Sequence, residues 1–98
     1  MTKAELDSYV QSLAIPLSMR IELDNYLKQL KAPGEFLRSI LENDLYSTLA
    51  LSYHDEVKRK AAPAIVRYIH STFPPDAYGS RERVRNWLDS GIDSLLIN

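Results

Sequence analysis

The thirteen residues Ala32-Pro33-Gly34-Glu35-Phe36-Leu37-Arg38-Ser39-Ile40-Leu41-Glu42-Asn43-Asp44 decide how this chain is read. Pro33-Gly34 ends whatever precedes it, and Asn43-Asp44 stops the chain again nine residues later. Between them Phe36, Leu37, Ile40 and Leu41 recur at helical spacing. A helix this short has little surface to spare, so four apolar residues cover much of it. Its neighbours must therefore wrap around it, and the stretch is expected to sit at the centre of the fold.

The rest of the chain supplies helices to do so. Thr2-Lys3-Ala4-Glu5 fits a capping box, and Leu6, Tyr9, Val10 and Leu13 then share one face up to about Ala14. Ile15-Pro16 ends that helix, because the residue before proline is pushed out of the helical region. A second helix is expected from about Leu17 to Lys31, with Met19, Leu23, Tyr26, Leu27 and Leu30 inward. Beyond the central stretch, Asp44 is an N-cap for a helix with Leu45, Leu49 and Tyr53 on its apolar side.

The longest pattern runs from Asp55 to Pro74-Pro75. Val57, Ala61, Ile65, Tyr68, Ile69 and Phe73 keep one phase through it. Pro63 lies inside, on the polar side with Arg59, Lys60, Arg67 and His70. Proline removes one helical hydrogen bond, but long helices curve with their convex side to solvent, so the outer face tolerates it. One long, Pro-kinked helix is therefore expected rather than two. Ser80 caps a last helix with Val84, Trp87 and Leu88 inward and Gly91 at its end, and the apolar tail Ile92–Asn98 follows. The fold class is all-α: a compact single-domain bundle of about five to six helices spanning residues 1–98.

Composition supports this reading and narrows the chemistry. Ninety-eight residues suit one core, and an apolar share of 45% with 26% charged residues is that of a globular domain. With no cysteine there is no disulfide, thiolate metal site or cysteine nucleophile. No apolar run approaches the ~20 residues of a membrane span, and the first residues lack the apolar core of a signal peptide. A soluble, cytoplasmic protein is expected. Charge is uneven: residues 1–54 carry five basic against seven acidic groups, residues 55–85 seven against four.

Two blocks carry a resemblance. Pro33-Gly34-x-Phe36-Leu37-x-x-x-Leu41-x-Asn43-Asp44-Leu45 resembles a motif recurring in small uncharacterised proteins of bacteriophages and prophages. So does Gly79-Ser80-x-Glu82-x-Val84-x-x-Trp87, which follows a proline and a helix there at about this distance. The resemblance spans roughly residues 15–90 and leaves Lys58–Pro63 unmatched. It implies a phage or prophage origin and a small accessory protein acting in the cytoplasm of the bacterial host cell. It brings no activity and no catalytic residues.

Nothing in the sequence points to catalysis. His54 and His70 fall on different segments, and His54-Asp55-Glu56 would splay around a helix start rather than converge on a metal. There is no nucleophile elbow, phosphate-binding glycine loop or paired-carboxylate site. No enzyme, cofactor or metal is expected. Pro33-Gly34 between two helices invites a helix-turn-helix reading, but residues 35–43 offer only Arg38 and Ser39 to read bases, flanked by Glu35 and Glu42. A basic face of Arg59, Lys60 and Arg67 with Arg81 and Arg85 is the better nucleic-acid candidate. Six tyrosines are many for this length, and aromatic residues with Arg favour interface centres.

The expectation is thus a protein-binding accessory protein that inhibits or redirects a host system, with a host or phage protein as partner. The alternative is nucleic-acid binding through the basic 58–67 and 81–85 residues. The candidate partner-binding residues are Arg59, Lys60, Arg67, Tyr78, Arg81 and Arg85. Tyr78 in its loop and Tyr53 or Tyr46 are candidates for exposure, Tyr26 and Tyr68 look like core, and the apolar tail is a candidate homodimer contact.

Overall fold

The computed structural model describes residues 2, 3, 6 and 15–97, with side chains as far as 90. Its helices are α1 (Leu17–Gln29), α2 (Glu35–Leu41), α3 (Leu45–Ser52), α4 (Glu56–Thr72) and α5 (Arg81–Ile97), with a 3-10 turn at Pro75–Ala77. No strand occurs among the described residues, and the fold is an all-helical bundle. The helix expected before Ala14 falls almost wholly outside the described residues.

Helix α2 is the hub. It packs against α3, α4 and α5, and Phe36, Leu37, Ser39 and Leu41 of its seven residues are buried. Glu35 is exposed, Arg38 and Ile40 are partly so, and Arg38 pairs with Glu42 one turn on at 3.0 Å. Leu23, Tyr26, Leu41, Ile65, Ile69 and Val84 are the largest side chains removed from solvent entirely. Each such side chain is worth roughly 1.5–3 kcal/mol of transfer free energy.

The turn after α2 shows why Asn43-Asp44 stands where it does. Asn43 takes the left-handed conformation at φ 59°. Its amide reaches the Ile40 carbonyl at 3.1 Å while the Asp44 amide reaches Ser39 at 2.8 Å. This is a Schellman arrangement, and asparagine tolerates the left-handed region better than most residues. Asp44 then caps α3 through the Ser47 amide at 3.1 Å.

Helix α4 runs unbroken through Pro63, which is exposed beside Arg59, Lys60 and Arg67. Ser80 Oγ accepts from the Arg83 amide at 3.1 Å, as an N-cap should. Helix α1 ends two residues earlier than periodicity predicts, because Leu30 adopts the left-handed conformation at φ 56°. Gly91 does not end the last helix, whose backbone continues to Ile97. The tail side chains lie outside those described.

One helix departs from its predicted orientation. In α3 the expected inward residues Leu45, Leu49 and Tyr53 are 70%, 59% and 70% exposed, whereas Ser52 is 3% exposed. Small hydroxyl side chains let α3 lie close on α2, and each hydroxyl finds a partner across the contact or within its own helix. Ser39 Oγ donates to the Phe36 carbonyl at 2.6 Å and shares a 2.8 Å bond with Thr48 Oγ1. Ser52 Oγ donates back to the Thr48 carbonyl at 2.8 Å. Val57 is also outward, at 58% exposure, and the residues that α4 buries begin at Ala61.

Candidate partner-binding surfaces

Leu45, Tyr46, Leu49, Ala50 and Tyr53 all face solvent, within less than half of the circumference of a helix with 3.6 residues per turn. Tyr46 is the most exposed of them, at 84%. No charged side chain occurs from Leu45 to Tyr53. That absence was the signal available in the sequence: with no charge to mark a solvated side, the hydroxyl face of α3 is as able to pack inward as the apolar one. Tyr46 is exposed, as one of the tyrosine candidates for exposure; Tyr53, the other, is exposed too, against its place in the stripe expected to pack inward.

Along one side of α3 a shallow groove of about 930 Å³ opens between α2, α3 and α5. Glu35, Arg38, Asp44, Ser47, Tyr46 and Arg81 contribute to its wall. Asp44 is held below the usual carboxylate range, first by the Ser47 hydroxyl at 2.6 Å, then by the Ser47 amide, and further by the Arg81 guanidinium. It is therefore an anion at neutral pH. The groove mixes both signs of charge, which suits water and a polar rim better than a single ionic ligand.

The basic candidates divide between two helices. Arg59, Lys60 and Arg67 are exposed on α4, and Arg81 and Arg85 on α5. Lys60 is paired with Glu56 at 2.9 Å, and Arg59 donates to the Tyr53 carbonyl at 3.3 Å. Arg81 belongs to the groove with Asp44. Arg83 turns away, donating to the Pro75 and Tyr78 carbonyls at 3.2 and 3.5 Å. Tyr78 is half-buried rather than free in its loop. Its ring lies edge-on to His70 at 4.9 Å, lining a 160 Å³ cavity with Ile40, Asn43 and Val66.

The helix-turn-helix candidates are likewise spent. Ser39 is buried and Arg38 is tied to Glu42, so neither residue of α2 projects towards a groove of DNA. Among the described residues no three His, Asp or Glu side chains converge as a metal site. No helix among the described residues is long and apolar enough to cross a membrane. The chain matches no protein-family model, no curated protein and no solved structure.

Proposed function

We propose that this chain is a small accessory protein that acts by binding another protein, and that the outward face of α3 is the surface it uses. The orientation of α3 carries the reading: four large apolar residues are turned out while two hydroxyls are turned in. Contiguous apolar area on a soluble domain marks an interaction site, and tyrosine and leucine side by side resemble the centre of an interface rather than its rim. The resemblance to phage and prophage proteins supplies the setting, the cytoplasm of a bacterial host, where such a protein would inhibit or redirect a host system.

The test is affinity capture from bacterial lysate with the wild-type chain and a Leu49→Asp variant side by side. A specific protein retained by the wild type and lost with Leu49→Asp is the expected result. Recovery of chaperones alone by both would end the reading. Nucleic-acid binding is the weaker alternative, since Lys60, Arg59 and Arg81 already have partners or neighbours within the fold. It requires affinity for DNA or RNA that falls steeply between low and moderate salt.

A further inference from the structure

We infer that the occupant of the α3 face is a second copy of the chain, laid antiparallel across a two-fold axis at Leu49. This rests on the reading of that face as a docking surface. Leu45, Leu49 and Tyr53 are spaced four apart, so turning the stripe end for end about Leu49 keeps its spacing and sets a leucine against a tyrosine on either side of the axis. A second copy turned end for end places Leu49 on Leu49 and Leu45 of each copy on Tyr53 of the other. Such a contact is isologous, the patch being complementary to itself, and it closes at two subunits. Ala50, small and exposed beside the axis, leaves room for the Tyr46 ring of the opposite copy.

Area and charge agree. Leu45, Tyr46, Leu49 and Tyr53 are each 59–84% exposed, on the order of 500 Å² of bare side chain per copy. Two copies would bury about 1,000 Å², the lower limit for a specific interface and the size expected of a reversible one. The ends of the stripe do not oppose blocks of like charge. Asp44 and Arg81 lie at one end, and Asp55, Glu56, Arg59 and Lys60 at the other. Apolar contact with balanced rims predicts association that survives high salt, the opposite of nucleic-acid binding.

The chain has no cysteine, so single substitutions report directly on proximity. Under a glutathione redox buffer, Leu49→Cys is expected to form a disulfide-linked dimer, and Leu45→Cys mixed with Tyr53→Cys a mixed dimer. Arg67→Cys, exposed on α4, should remain largely monomeric. Sedimentation equilibrium of the unmodified chain should show a monomer–dimer equilibrium that Leu49→Asp weakens about tenfold or more. Circular dichroism verifies that the variant folds, and Tyr46→Ser supplies an independent lesion.

A wild-type chain that stays monomeric at every accessible concentration overturns the second copy as occupant. The lysate capture then decides the broader reading separately: a partner lost with Leu49→Asp preserves the docking surface, and none removes it. A dimer indifferent to both Leu49→Asp and Tyr46→Ser overturns the inference, and a different contact must hold it.

Discussion

Tyr26 does more than fill space. Its hydroxyl donates to the Ala77 carbonyl at 2.6 Å, tying α1 to the 3-10 turn fifty-one residues away. Its own carbonyl, one of the last four of α1 and so without a helical partner, accepts from Trp87 Nε1 at 3.1 Å. Tyr26→Phe keeps the ring and strands the buried Ala77 carbonyl, which should cost about 1–3 kcal/mol in urea unfolding. Burial also pushes the Tyr26 hydroxyl far above its ordinary range, outweighing the Arg38 guanidinium, which lowers it, while Glu42 raises it further. The sign follows from linkage: the unfolded chain releases this proton near pH ~10 and the folded chain holds it. Stability attached to Tyr26 is therefore complete below about pH 10 and declines above it. Thermal melts from pH 8 to 11 should fall more steeply for the wild type than for Tyr26→Phe. Part of the slope will persist, because Tyr68 is shifted upward too, by burial and then by Asp24. Equal slopes would show that burial of Tyr26 does not set its ionisation.

Among the elements, α3 and α4 give opposite lessons about what a sequence reveals. In α3 the stripe Leu45–Leu49–Tyr53 and the pair Thr48–Ser52 are both self-consistent faces, and hydrophobicity alone selects the wrong one. What decides the matter is the hydroxyl of Ser39, nine residues before Thr48 and on a different helix, together with the tight turn that fixes how α3 leaves α2. Neither is visible in a local window. Ser52→Leu therefore overpacks the α2–α3 contact and should cost about 1–3 kcal/mol. Leu49→Ser should change stability by under about 0.5 kcal/mol, measured at concentrations where the chain is monomeric. The reverse ranking in denaturant titrations would place Leu49 inside. In α4 the sequence was legible because periodicity continues across Pro63 for seventeen residues, and a solvent-side proline interrupts no packing. Only the first turn misled, since Val57 precedes the first residue that α4 buries. Pro63→Ala restores a hydrogen bond on an exposed face and relieves the ring clash. Allowing for the greater freedom of the unfolded chain, it should stabilise by about 1–2 kcal/mol. A loss of stability would mean that Pro63 favours the native helix by more than the missing hydrogen bond costs.

For the molecule as a whole, the central position of α2 has a consequence for how it unfolds. Helix α2 contacts α3, α4 and α5, and α1 joins the same core through Leu23 and Tyr26. No helix has a private core to fall back on, so the described residues should unfold as one cooperative unit. The Asn43-Asp44 stop, the Gly79 amide bonded to the Leu41 carbonyl at 2.7 Å and the Ser80 cap all converge at the end of α2. That convergence was partly readable, since the central stretch and the Gly79-Ser80 block are the two distinctive parts of the sequence, but only the structure joins them. Leu41, fully buried at this junction, is the place to strike. Leu41→Ala should cost about 2–5 kcal/mol, a large share of the ~5–15 kcal/mol typical of a whole domain. Trp87 is the only tryptophan and reports on α5, whereas far-ultraviolet circular dichroism reports on all helices. In urea the two signals should trace one transition in the wild type and shift together, with unchanged slope, in Leu41→Ala. Were the fluorescence transition to precede the loss of helix, α5 would be detaching from a bundle that survives without it. The hub would then lie in the α2–α3–α4 layer alone.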